Sequence, residues 1–300
     1  MHVRLRQEVQ EVLRVEGLSR LQVGGFTLDL LSDGFFRLDG GAMYGVVPKS
    51  LWCRAEPETD DRNRVLLDLG CLLITTPKGT RVLVDTGLGG KYDGDARFTK
   101  MFAVERSRTL EHGLRELGLD ESKIDVVTNT HLHFDHAGGN TVREDGRVRP
   151  AFSRARYVVQ KAEWDCANKP HERNAASYLD ENFAALADSK RFELIDGTVE
   201  LEPGLKLVKT GGHSDGHQIV VIESEGQGAV YLGDLVPTRA HVPLPYIMGY
   251  DLYPMETLEL KRSLYAQAQA KDWFLLFDHD KQRRYAKLGN DAGRWFAKEN

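Results

Sequence analysis

The chain has 300 residues, 41% hydrophobic and 28% charged, a composition that supports a buried core without disulfide or metal staples. Its 40 Lys and Arg against 45 Asp and Glu give a net charge of -5, which disfavours nucleic acid or an anionic membrane surface as a partner. No uncharged run approaches the ~18 apolar residues of a membrane span. The opening Met1-His2-Val3-Arg4-Leu5-Arg6 holds no apolar stretch of signal-peptide type, so a cytoplasmic location is expected.

Residues 4–15 read as a short amphipathic helix, with Leu5, Val9 and Leu13 at helical spacing. A strand is expected from Phe26 to Leu31, closing at Asp33-Gly34. Residues 35–63 follow neither the helical nor the strand period, and an irregular segment of that length in a compact chain commonly shapes a functional surface. Strands follow from Val65 to Thr75 and from Arg81 to Asp85, joined by the turn-forming Pro77-Lys78-Gly79. The stretch 102–118 carries Leu110, Leu114 and Leu117 at helical spacing and closes on Gly118, a helix-ending residue. Ile124 to Thr128 reads as a strand that runs directly into a histidine-rich segment. Further strands are expected at 156–160, 192–195, 205–209, 218–223, 229–232 and 273–277, and helices near 161–167, 175–188, 255–270 and 283–298. No repeat or linker-like shift interrupts the chain, so residues 1–300 read as one mixed α/β domain. Cys53, Cys71 and Cys166 lack the number and spacing of a disulfide framework or a cysteine zinc site, and read as small apolar residues in a reducing compartment.

The chemistry concentrates in Thr130-His131-Leu132-His133-Phe134-Asp135-His136. Three imidazoles and a carboxylate within six residues form a donor set suited to Zn, and also to Mn, Fe or Co. On a loop after a strand, His131 and His133 point the same way, and Asp135 and His136 can turn toward a second ion. One loop cannot complete two metal sites, so further ligands are expected at the ends of other strands. His213 follows the strand 205–209, Asp234 follows 229–232, and His279 follows the very apolar Trp273-Phe274-Leu275-Leu276-Phe277. A polar group that ends a buried strand is costly without a strong partner, and a metal ion supplies one. His2, His112 and His171 lie in polar surroundings away from these motifs. A Ser-His-Asp triad, the other hydrolase class, is set aside.

Taken in order, Leu83-Val84-Asp85-Thr86-Gly87, the His131–His136 cluster, His213, Asp234 and His279 resemble the metallo-β-lactamase-fold superfamily over nearly the whole chain. The resemblance implies a four-layer αββα sandwich of two mixed sheets flanked by helices, with metals at one edge. It implies two divalent ions, Zn foremost, one on His131, His133 and His213, the other on Asp135, His136 and His279, with Asp234 bridging. The implied nucleophile is a water or hydroxide shared by the two ions, its pKa lowered from about 15.7 toward about 7. Asp234 and Asp135 are then the catalytic carboxylates, Asp135 also as a proton carrier. Asp85 is expected to orient a ligand imidazole or the cluster loop, and His217 to be hydrogen-bonded in support rather than ligating.

The superfamily hosts hydrolysis of many esters and some iron-dependent oxidation, so fold and ligands leave the substrate open. The segments 36–48 and 233–251 mix aromatics and Met with Gly and Pro, as an apolar pocket wall on adaptable loops would. Phe36, Met43, Tyr44, Phe134, His241, Tyr246 and Met248 are expected to face substrate. These segments resemble the quorum-quenching lactonases that open N-acyl homoserine lactones, and also the related organophosphate hydrolases. The implied partner is a small ester or lactone with an apolar tail, and the resemblance alone suggests a homodimer. Those lactonases carry a Tyr three residues after the bridging Asp, where this chain has Pro237. The leaving-group acid would then be His241, a tyrosine from the 246–253 stretch, or Asp135 itself. A mononuclear iron oxidoreductase resembling the persulfide dioxygenases is the alternative outside hydrolysis.

Overall fold

The computed structural model describes residues 14–15, 18–188, 190–282 and 284–298. The helix expected at 4–15 lies outside the described residues, apart from Arg14–Val15, which pair as a short strand with Leu18–Val23.

Among the described residues, two large sheets face each other. The first is eight-stranded, in the spatial order Arg14–Val15, Leu18–Val23, Phe26–Asp39, Arg64–Thr75, Arg81–Val84, Val126–Thr128, Arg156–Gln160 and Phe192–Ile195. It is antiparallel up to Arg81–Val84 and parallel from there on. The second has seven strands, Thr198–Glu202, Leu205–Lys209, Gln218–Ser224, Gln227–Tyr231, Phe274–Leu276, Tyr285–Asp291 and Arg294–Ala297, with one parallel pairing in the middle. Strand alternation divides the core. Leu72 and Ile74 point between the sheets toward Leu207, Val220 and Ile222, while Cys71 and Leu73 point outward toward Leu110 and Leu114. Both faces of these central strands are buried, which is why they read as continuous apolar runs.

The helix Pro254–Ala270 covers the outer face of the second sheet. It turns Thr257, Lys261, Leu264, Tyr265 and Ala268 inward at helical spacing, with Pro254 in its first turn where no amide bond is lost. The αββα order of layers expected from the resemblance is the one observed. No helix among the described residues is long and apolar enough to cross a membrane.

Four expectations are corrected. The helix expected near 283–298 is instead the hairpin Tyr285–Asp291 with Arg294–Ala297, turned by Ala292 and Gly293, both at positive φ. That geometry fits the twist of paired strands, and pairing with Phe274–Leu276 outweighs the local helical spacing. The helix expected over 102–118 is two, Ala96–Phe102 and Leu110–Glu116. Between them Glu105 bonds through its backbone to Phe35. The helix expected over 175–188 is three single 3-10 turns. The irregular stretch 35–63 begins as a continuation of the strand Phe26–Asp39, which bulges between Ser32 and Phe35, and goes on through the short helices Gly40–Tyr44 and Lys49–Trp52.

Candidate metal centre

The chain ends of four strands converge at one edge of the sandwich. The strand Val126–Thr128 leads to His131 and His133, and the single-turn helix Phe134–Ala137 carries Asp135 and His136. The loops after Leu205–Lys209, Gln227–Tyr231 and Phe274–Leu276 bring in His213, Asp234 and His279. Backbone contact holds the cluster loop against the turn after Arg81–Val84. A Cβ on Gly138 would lie 2.1 Å from the Leu88 carbonyl oxygen and one on Gly139 2.3 Å from that of Thr86, so only glycine permits this approach.

The donor atoms form two groups around Asp234. In the first, His133 Nδ1 lies 2.9 Å from His131 Nε2 and 3.2 Å from His213 Nε2. Asp234 Oδ2 lies 3.1 Å from His213 Nε2 and 3.7 Å from His131 Nε2. In the second, Asp234 Oδ1 lies 3.2 Å from His279 Nε2 and 3.6 Å from His136 Nε2. Asp135 Oδ2 stands 3.6 Å from His279 Nε2 and 3.8 Å from His136 Nε2. Ligand atoms ~2.0 Å from one tetrahedral ion stand ~3.3 Å apart, so these spacings match a shared cation.

The far side of four of the five imidazoles assigns the proton. His279 Nδ1 donates to the Asp68 carbonyl at 2.7 Å, His213 Nδ1 to Asp251 Oδ1 at 2.9 Å, and His136 Nδ1 to Asp85 Oδ2 at 3.1 Å. Thr130 Oγ1, which donates to Asp85 Oδ2, accepts from His131 Nδ1 at 3.1 Å. With these protons outside, the Nε2 lone pairs of His131, His136, His213 and His279 point inward, and His133 turns Nδ1 to the same group. His136 Nε2 and Asp234 Oδ1 are buried without a hydrogen-bond partner. Inward lone pairs at hydrogen-bond distance from one another repel unless a cation lies between them, so the residues fit two metal ions.

Electrostatics point the same way. Burial and the neighbouring imidazoles hold His131 and His133 well below the ordinary histidine pKa, as neutral ligands require. Burial also works against protonating His136, but the carboxylates of Asp135, Asp85 and Asp234 outweigh it and bring its pKa up to about 10. Burial would raise Asp234, yet His213, His136 and His279 hold it well below the usual carboxylate range. A carboxylate so held is ready to bind cations.

Asp85, expected to orient a ligand imidazole or the cluster loop, contacts both His136 and Thr130. It sits at φ 59°, a strained value that Asp tolerates, and accepts from the Thr130 amide at 2.8 Å as well as orienting His136. His217 packs 5.5 Å from the His131 ring and shares a proton with Thr130's counterpart on its own loop, Thr210, at 2.7 Å. Three further carboxylates were not singled out from sequence. Asp251 holds His213 and in turn accepts from Thr257 Oγ1 at 2.8 Å. Asp278, fully buried, has its Oδ2 3.8 Å from His136 Nδ1 and 3.9 Å from His279 Nε2 with no hydrogen-bond partner, so it joins His136, Asp234 and His279 as a further candidate donor. Glu163 touches the backbone of the cluster loop. Asp251 and Glu163 carry no spacing to mark them, whereas Asp278 sits between the apolar run 273–277 and His279, the same strand-end signal that marks His279. Asp251→Ala is expected to free the His213 ring and weaken metal affinity about 10–100-fold, which titration against a chromophoric chelator would measure.

A cavity of about 360 Å³ opens over His133, Asp135, His213, Asp234 and His279. Of the residues expected to face substrate, Met43, Phe134 and Met248 line it, and Tyr250 and Arg173 stand at its wall. The other four stand outside the lining. Phe36 packs against His279 at 5.5 Å and Phe134 at 6.4 Å. Tyr44 is stacked between Trp52 and His241. Tyr246 packs edge-on against Tyr44. His241 uses both ring nitrogens, on Thr238 Oγ1 at 2.7 Å and the Met43 carbonyl at 2.9 Å. Phe36, Tyr44 and His241 are buried behind the wall, and the half-buried Tyr246 lines a neighbouring groove instead.

The run Gly212-His213-Ser214-Asp215-Gly216 does spell the Gly-x-Ser-x-Gly pattern of a serine nucleophile. Ser214 is nonetheless buried, and its hydroxyl donates to Glu163 Oε2 at 2.6 Å instead of to a histidine. The serine-triad class therefore finds no support in the geometry.

Two mixed sheets with flanking helices and a histidine–aspartate cluster at one edge define a metal-site sandwich. Residues 71–279 match the model of the metallo-β-lactamase superfamily, and the chain belongs to that superfamily. It is 32% identical to the N-acyl homoserine lactonase of Bacillus cereus over 181 residues, 57% of this chain. The match spans 64% of that enzyme's length. A probable metal-dependent hydrolase from Staphylococcus aureus superposes with a TM-score of 0.84 at 32% identity, covering 93% of this chain and 99% of the other. AidC, a dizinc quorum-quenching lactonase solved with a product, shares the fold with a TM-score of 0.78 at 18% identity, over 95% of this chain and 97% of its own.

Proposed function

We propose that this chain is a hydrolase that works on two divalent cations and opens N-acyl homoserine lactones. The observation that carries the reading is Asp234, whose two oxygens face two separate groups of inward-pointing imidazole nitrogens. The lactonase name of the Bacillus cereus relative and the dizinc site named for AidC support the same reading.

His131, His133 and His213 would hold one ion, Asp135, His136 and His279 the other, and Asp234 both. Bound there, such ions lower the pKa of a water and polarise an ester carbonyl. The chain's own residues do the rest. Met43, Phe134 and Met248 give an acyl tail an apolar wall and keep water from the reacting carbonyl. Asp135, at the cavity floor, accepts the proton that the attacking water loses. The leaving alkoxide needs a proton, and Pro237 stands where the lactonase resemblance implies a tyrosine. His241 has no free nitrogen for it, and Tyr253 is committed to Asp215 at 2.7 Å. Tyr250 lines the cavity, and its phenol, protonated at neutral pH, is the donor placed to supply it.

Metal analysis and a substrate panel test the proposal. Two divalent ions per chain are expected, with activity lost on chelation and restored by Zn or Co. Acyl-homoserine lactones of several chain lengths should be hydrolysed faster than paraoxon-type esters. One iron per chain together with oxygen uptake would sink the hydrolase reading, and equal rates on all esters would sink the lactone.

A further inference from the structure

Glu163 is a buried carboxylate, 1% exposed, in the first turn of the helix Lys161–Asn168, outside the ligand set. It meets three donors. Oε1 accepts from the Leu132 amide at 2.8 Å and from Tyr178 Oη at 2.9 Å, and Oε2 accepts from Ser214 Oγ at 2.6 Å. Leu132 lies between His131 and His133, and Ser214 follows His213. Tyr178 packs edge-on against the His133 ring at 4.7 Å. Each histidine of the first donor group is thus adjacent to, or in contact with, a group that Glu163 holds. The loops are also in hard contact with the helix, since a Cβ on Gly216 would fall 2.1 Å from the Glu163 amide nitrogen. The second donor group has no such tie. His136 is held by Asp85 and His279 by the Asp68 carbonyl.

From this asymmetry we infer that Glu163 is a positioning residue for one metal site only, setting the distance between the cluster loop and the His213 loop. The inference rests on the two-metal reading above. The two loops reach the site from different sheets, 31 and 51 residues from Glu163 along the chain. A carboxylate bonded to both is a rigid spacer, because its two oxygens are fixed relative to one another and both accept hydrogen bonds. Ligand loops free to separate would have to be drawn together by the metal itself, which weakens binding at that site.

Stepwise metal titration of the full chain, with Zn in competition with a chromophoric chelator, tests it. The wild type is expected to take up two equivalents. Glu163→Leu should weaken one equivalent about 10–100-fold and leave the other within about 3-fold. Glu163→Gln should restore it, since its amide oxygen can still accept from Leu132 and Tyr178 and its NH₂ can donate to Ser214 Oγ. If Glu163→Leu does not fold, Ser214→Ala and Tyr178→Phe each cut one tie and should weaken the same equivalent. Equal weakening of both equivalents, or two unaltered ones beside a normal wild type, overturns the positioning role while the two-metal reading stands. A wild type that binds no second equivalent overturns both.

Discussion

Asp234→Ala is expected to strip the protein of both metal ions and lower kcat/KM about 10³-fold or more. Asp234 serves both donor groups, with Oδ2 3.1 Å from His213 Nε2 and Oδ1 3.2 Å from His279 Nε2. Its removal leaves two neutral or part-charged imidazole clusters with no shared anion to balance two cations. The two ions would repel one another with no shared carboxylate between them, and the remaining ligands would hold each more weakly. Asp234→Asn should do nearly as much, because an amide keeps the shape and loses the charge. Metal content measured beside turnover checks the result, and a variant that keeps two ions at near wild-type rate would show that Asp234 bridges nothing.

The second large effect lies away from the metals. Lys261 is fully buried, and its Nζ donates to the carbonyls of His241, Pro243 and Tyr246 at 2.7, 3.0 and 2.9 Å. It ties the 241–246 loop, which runs on to Met248 at the cavity wall, to the helix Pro254–Ala270. Lys261→Met would remove the donor from the His241 and Tyr246 carbonyl oxygens, while Pro243 keeps the Tyr246 amide, and is expected to lower unfolding stability by about 2–4 kcal/mol. Burial pushes the Lys261 pKa down to about 7 from its ordinary 10.5. The unfolded chain therefore holds more protons between those values, and the wild type's advantage over Lys261→Met widens as pH rises through that window. Denaturant unfolding of both proteins at pH 7 and 9 measures it, and an advantage that narrows instead would contradict the assignment.

Much of the metal site was readable because local chemistry is unusual there. The His131–His136 run concentrates imidazoles beyond any packing need, and His213, Asp234 and His279 each end a buried strand with a polar group. Asp85 was readable at the end of its strand. The wall was read less well. Tyr44 and His241 carry the composition of a pocket lining, but they stack on each other at 4.6 Å behind it. Composition says that aromatics are near a cavity, and only packing says which of them face it. The hairpin Tyr285–Asp291 with Arg294–Ala297 was missed for a similar reason. Its spacing suits a helix in isolation, while the open edge of Phe274–Leu276 offers it a ladder of hydrogen bonds.

By itself the sequence determined the mixed α/β class, through apolar runs that suit strands buried on both faces, and singled out the histidines and aspartates that are candidate metal donors. Ligand chemistry is carried by residue type, and residue type is legible. Only the tertiary structure decided which groups hold those donors still. Asp251 and Glu163 are ordinary carboxylates until distant segments meet. Glu163 becomes a spacer only because Leu132 and Ser214 arrive on either side of it, a meeting that depends on how the two sheets pack.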